Sequence, residues 1–138
     1  MCGQTRLHQF QGIQGCNSSA FQNGTRSPEK IMTEIVWEFE VGSGRVAEFE
    51  KHYGPEGTWV ELFRRDRAFR GTSLLRDREK PTRFITIDRW NDLESYEAFR
   101  VEYAKEYEVI DKQMTELTTQ ERRLGVFESI QEKRAAAG

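Results

Sequence analysis

Two titratable side chains and a run of aromatics carry the chemistry available to this sequence. His52 sits in the stretch HYGPEGTWVELFRR, 52–65, beside Tyr53 and close to Trp59. An imidazole titrates near neutral pH and could take a phenolic proton there. A histidine in the last turn of a helix is also favoured by the helix dipole alone. Asp88 falls on one strand face with Trp90, where a carboxylate needs a partner or ionises less readily, as a general base would. Its bland alternative is an ion pair with Arg100 or another arginine. Trp90 could stack on a flat ligand, or anchor the core with its indole N–H on a carbonyl. Tyr96, Phe99, Tyr103 and Tyr107 step along one helix face, and Tyr103 is the member placed to reach a ligand. The catalytic candidates are thus His52 and Asp88, and the substrate-binding candidates Tyr53, Trp59, Trp90, Arg100 and Tyr103. No Ser-His-Asp order, zinc spacing, phosphate loop or dinucleotide fingerprint accompanies them, so neither a metal nor a cofactor is expected.

Regular elements must hold these residues. Residues 34–41, EIVWEFEV, alternate, with Ile35, Trp37, Phe39 and Val41 on one face, which is the period of a strand. Val46, Phe49 and Tyr53 recur at helical spacing, giving a short helix over 45–53. Gly54 in a left-handed conformation, followed by Pro55, would end it. Thr58 and Glu61 then read as a capping box for a second helix carrying Trp59, Leu62 and Phe63 inward. Strands follow at 70–76 and 83–90, the second with Phe84, Thr86, Asp88 and Trp90 on its helix-facing side. Asn91 with Glu94 would cap a long helix whose stripe runs from Leu93 to Leu117. At ~1.5 Å per residue it would reach ~39 Å, longer than a small sheet needs, so it bends or extends over a partner. Thr118 and Glu121 suggest a fresh helical turn, and LGVFESI, 124–130, a last strand.

The order βααββαβ places helices on one face of a four-stranded antiparallel sheet, the ferredoxin-like α+β plait. The other face would carry Val36, Ile85 and Ile87 among charges such as Glu38 and Arg89, and two such sheets packed together would bury it in a homodimer. The chain of 138 residues suits one domain over 32–130, with 36% hydrophobic and 32% charged residues. A net charge of −2 gives no electrostatic reason to expect nucleic acid or an anionic membrane. No run approaches the ~18 apolar residues of a membrane span. No apolar secretory core opens the chain, which makes the cytoplasm the expected location. Segment 1–31, which holds His8, Cys2 and Cys16, has the polar composition of a disordered extension, and 131–138 reads as a loose tail. Met32 is the expected native start; an intact mass that includes the Cys16 peptide would refute this.

At RFITIDRWNDLESYEAF the sequence resembles the antibiotic-biosynthesis-monooxygenase-type domains of the dimeric α/β-barrel superfamily. There a third strand ends in Trp and leads into a helix with an aromatic about six residues on, as Trp90 and Tyr96 do. RVAEFEKHY after the first strand adds to the likeness, which spans about 33–129. The haem-degrading branch of that group uses a first-strand Asn, the strand-ending Trp and a helix His. Only Trp90 corresponds, with Trp37 and Arg100 at the other two places, which speaks against that route. The resemblance instead implies a cofactor-independent monooxygenase of a small aromatic, quinol-type or polyketide substrate, bound between helices and sheet, whose phenolate itself passes an electron to dioxygen. Trp90 and Tyr103 would hold the ring, and His52 or Asp88 would deprotonate it. The alternative is a non-catalytic small-molecule binder or stress-related dimer of the same fold, in which the polar groups satisfy one another.

Overall fold

A computed structural model describes residues 31–130. The expectations for the N-terminal extension and the C-terminal tail concern residues outside that range, apart from Ile31. Strand β1 (Thr33–Val41) leads into helices α1 (Val46–Tyr53) and α2 (Thr58–Phe63). Strands β2 (Phe69–Arg76) and β3 (Arg83–Trp90) follow, then α3 (Leu93–Glu102), α4 (Ala104–Met114), a 3-10 turn at Thr115–Leu117 and β4 (Thr118–Glu128). The strands pair antiparallel in the order β2-β3-β1-β4, with the helices on one face. This is the ferredoxin-like α+β plait that the sequence predicts.

Alternation decides which face is covered. Ile35, Trp37, Phe39 and Val41 of β1, and Phe84, Thr86, Asp88 and Trp90 of β3, are all buried under the helices. Phe49, Leu62, Phe63 and Phe99 pack down onto them, each large apolar side chain contributing ~1.5–3 kcal/mol by leaving water. On the outer face Val36, Ile85 and Ile87 are half-buried, while Leu75 and Phe127 are exposed. Ion pairs frame them: Arg83 and Arg122 clasp Glu38 at 2.6 and 2.7 Å, and Arg89 faces Glu34 at 3.5 Å.

The corner at 54–57 is built differently from expectation. Gly54 is extended, with φ −77° and ψ 177°, not left-handed. Glycine is needed there for space, because a Cβ would stand 2.8 Å from the Glu50 carbonyl oxygen. Gly57 is tighter still: its Cβ would meet the His52 and Lys51 carbonyl oxygens at 2.5 and 2.6 Å. Nor does Thr58 cap α2. Gly57 holds the N-cap position without a side-chain bond, and the Thr58 hydroxyl lies 2.7 Å from His52 Nδ1 instead. Similarly, Asp92 rather than Asn91 caps α3, accepting from the Ser95 N–H at 2.8 Å. Asn91 Oδ1 accepts from Arg70 Nε.

The long helix breaks at Tyr103, the bend that its excess length requires. At its far end Thr118 and Glu121 start no helical turn. They open β4, which runs over 118–128 rather than 124–130 because β1 supplies ladder partners from Thr118 onward.

Candidate functional site

The sheet register sets two inward rows across the strands. Thr72 of β2, Asp88 of β3, Ile35 of β1 and Val126 of β4 form one; Leu74, Thr86, Trp37 and Arg123 form the next. Arg123 reaches that face only because the β1–β4 ladder slips one residue between Val36 and Trp37. Gly125 opposes Val36, but Arg123 opposes Trp37, so Leu124 is the extra residue of a bulge. Strict alternation from Val126 would have turned Leu124 inward and Arg123 to the surface.

Above these rows, Tyr96, Phe99 and Arg100 of α3 and Tyr107, Asp111 and Met114 of α4 are buried at intervals of three and four. Arg100 is 4% exposed. Its Nη1 donates to the Tyr96 hydroxyl at 2.9 Å, and its Cζ stands 4.0 Å from the centre of the Tyr107 ring, a cation–π contact. Asp111, also buried, lies one turn beyond Tyr107. Burial draws the pKa of Arg123 below its ordinary value; the Tyr96 and Tyr107 phenols act in the opposite sense, and the like charge of Arg100 adds to the lowering. The Arg123 guanidinium stays protonated at neutral pH. Asp88 is 7% exposed and accepts from the Thr72 hydroxyl at 2.7 Å.

A continuous line of contacts joins most of the residues singled out by sequence. Trp90 meets Tyr96 with ring centres 5.4 Å apart, and Tyr96 bonds Arg100. Arg100 covers Tyr107, Tyr107 packs on Trp59 at 4.8 Å, and Trp59 reaches Tyr53 at 6.2 Å. Trp90 is wholly enclosed, with Phe63, Phe69 and Phe99 also around its ring. Tyr53 stacks on Phe49 at 4.2 Å. Tyr103 sits half-buried at the α3–α4 break, against Phe99 on one side and beneath Arg65 on the other. His52 is half-buried at the end of α1, where its Nδ1 meets the Thr58 hydroxyl. Asp88 borders the line from the sheet below.

Arg123, Asp111 and Thr72 were not singled out by sequence. Asp111 left a signal, an acid four residues after Tyr107 in phase with the inward stripe. Arg123 left none, since only the bulge turns it inward. Among the described residues no group of His, Cys, Asp and Glu is arranged to hold a metal ion. A groove of about 760 Å³ opens elsewhere, on the outer face, between Glu38, Glu40, Lys80, Arg83, Gln120 and Arg122. Its acids and bases already bond one another, as in Lys80 to Glu40 at 3.3 Å, and it has no stacked aromatic wall. The ring-bearing layer under α3 and α4 is the better candidate for an aromatic ligand.

A family model described as antibiotic biosynthesis monooxygenase matches residues 32–104. No curated protein matches the chain. Among solved structures it is similar to SnoaB, a cofactor-independent oxygenase from Streptomyces nogalater, with 23% identity, a TM-score of 0.55, and coverage of 75% of this chain and 97% of that one. A candidate antibiotic biosynthesis monooxygenase from Bordetella bronchiseptica gives 22%, 0.56, and 75% and 100%. Another from Nitrosomonas europaea gives 14%, 0.57, and 76% and 96%. At these identities the structural likeness shows a shared fold.

Proposed function

The chain belongs to the antibiotic biosynthesis monooxygenase family, and from that premise we propose that it is a cofactor-independent oxygenase of a small aromatic, quinol-type or polyketide-type substrate. The observation that carries the reading is the layer of aromatic rings under α3 and α4 with charged groups buried in it, Arg100 above and Asp88 below. Rings there offer faces and edges to a flat substrate, and the charges supply the polarity that its hydroxyl needs. Asp88 or His52 takes the hydroxyl proton. The resulting anion gives an electron to dioxygen and couples to it at a ring carbon. One oxygen atom stays there as a carbonyl, and the other leaves as water with two hydrogens of the substrate, which supplies all four electrons and ends as the quinone. Tyr103, at the wet edge of the layer, contacts the incoming ring, while Trp90 shapes the wall from behind Tyr96.

One observation favours the second reading, a binder without catalysis. Asp88 and His52 each already meet a threonine hydroxyl at 2.7 Å, which is how polar groups that only satisfy one another would look. In either reading a second copy covers the outer sheet face, where Val36, Ile85, Ile87, Leu75 and Phe127 form an apolar strip between ion pairs.

Dioxygen uptake by metal-free protein over anthrones, naphthols and hydroquinones tests the choice. Turnover that falls ~10²-fold or more in Asp88→Asn or His52→Ala assigns the base. Uptake equal in wild type and both variants is background autoxidation and supports the binder.

A further inference from the structure

The chain has three tryptophans and four tyrosines, the two ring types that lose a single electron most readily. All seven lie within the described residues, in one connected network. We propose that this network is a relay that carries a one-electron oxidation out of the helix–sheet layer to Tyr103, where a soluble thiol repairs it. The source of the oxidant rests on the oxygenase reading above; the connectivity of the rings does not.

Trp59 meets Tyr107 and Tyr53 with ring centres 4.8 and 6.2 Å apart, and Trp90 meets Tyr96 at 5.4 Å. Single phenylalanines join these groups. Phe63 lies 5.9 Å from Trp59 and 5.8 Å from Trp90. Phe99 lies 5.0 Å from Trp90 and 5.0 Å from Tyr103. Phe39 lies 6.2 Å from Trp37 and 5.1 Å from Tyr53. No oxidisable ring is therefore more than one phenylalanine from the next. Packing alone asks only for apolar volume, which phenylalanine supplies as well.

Six of the seven rings are at most 5% exposed, and only Tyr103 is half-buried. That difference gives the relay its exit. Loss of an electron turns a phenol into a strong acid, so the oxidised ring settles where its proton can leave. At Tyr103 water takes the proton, and a thiol in solution can reach the ring. Arg65 lies over that ring at 5.8 Å, but it is exposed and faces Glu106 at 4.0 Å, so its charge is well screened. Inside, the Nε1 of Trp90 has no hydrogen-bond partner among the described residues. An oxidised Trp90 keeps its proton, stays strongly oxidising and passes the charge on.

A substrate radical that escapes the superoxide formed beside it adds a second dioxygen and becomes a peroxyl radical. One electron through the relay and one proton reduce that radical to the hydroperoxide. Tyr103 loses the electron, and its proton goes to water, leaving a phenoxyl radical. A thiol gives Tyr103 a hydrogen atom, and two thiyl radicals close to a disulfide.

The test uses the full chain with its cysteines alkylated and ultraviolet light that tryptophan alone absorbs, which ejects electrons from the buried indoles. In wild type, phenoxyl absorption should rise as the indole radical decays, and glutathione should suppress the conversion of tryptophan to kynurenine. Tyr103→Phe, which deletes one hydroxyl at the edge of the layer, should lose that protection. Tyr103→Trp, which restores an oxidisable ring, should regain it, whereas a packing role would not follow redox chemistry in this way. Protection undiminished in Tyr103→Phe would overturn the relay, as would a wild type that forms no phenoxyl radical. No substrate enters the test, so its failure leaves the oxygenase reading standing, and a failed oxygenase assay leaves the relay standing.

Discussion

Thr72→Val separates a structural Asp88 from a catalytic one. Valine keeps the shape of threonine and deletes the hydroxyl that donates to Asp88 Oδ1 at 2.7 Å. A hydrogen bond to a charged acceptor contributes ~1.5–3 kcal/mol. Asp88 is 7% exposed, so little water can replace the lost donor, while half-buried Thr72 admits some. The lower part of that range applies, about 1.5 kcal/mol. For a domain of roughly 100 residues this lowers the melting temperature by ~6–12 °C. Thr72→Ser, which restores the donor, should recover most of the loss. Urea unfolding of Thr72→Val, Asp88→Asn and the double variant closes a cycle whose coupling should be ~1 kcal/mol or more. A Thr72→Val protein within ~0.5 kcal/mol of wild type would refute the reasoning. It would mean that the bond does not anchor the carboxylate, which strengthens the case for Asp88 as an available base.

Three further outcomes follow from the same geometry. Gly57→Ala sets a Cβ against two backbone carbonyls that cannot rotate away, so a loss of ~2–3 kcal/mol in urea unfolding is expected, and a neutral result would show that the corner is looser than described. Burial and the nearby Glu94 hold the carboxyl of Glu97 above its usual pKa, and its Oε2 is buried without a hydrogen-bond partner among the described residues. A carboxyl that is harder to ionise folded than unfolded opposes folding at neutral pH and not below the ordinary carboxylate range; Glu97→Gln should therefore raise the melting temperature at pH 7 and leave it unchanged near pH 3, and a gain of equal size at both would refute the assignment. Ile87→Glu, in the apolar strip of the outer face, should shift sedimentation from dimer to folded monomer, whereas a wild-type monomer at micromolar concentration would overturn the proposed dimer.

The fold was legible where one face of an element is dry. β1 and β3 alternate without exception because the helices cover one side of them, and the observed β3 spans the same residues as the expected one. Tyr96, Phe99 and Tyr107 fell at helical spacing for the same reason. Local chemistry misled where a tertiary partner outbid it: Thr58 found His52, and Asn91 found Arg70. A capping signature reports what a side chain can do with its own helix, and nothing about a competitor brought in by folding. Gly54 shows a related limit, since glycine marks a need for space as readily as a need for left-handed backbone. Of the candidate site, sequence pointed to Trp90, Arg100 and Asp88, and did not point to Arg123.

That omission follows from the bulge at Leu124, which acts as a change of phase. Between the ladder's other slip, at Glu40/Val41, and Leu124 the odd-numbered Glu121 and Arg123 take the inward places, whereas after Leu124 the even-numbered Val126 and Glu128 do. A single extra residue thus decides whether a positive charge lies in solvent or beneath the helices. Removing Leu124 would leave the composition of the strand almost untouched, yet it would bring residues 120–128 back to one parity. A charge could enter the interior of this fold without any substitution, by a one-residue slip at an edge strand, where the ladder tolerates it.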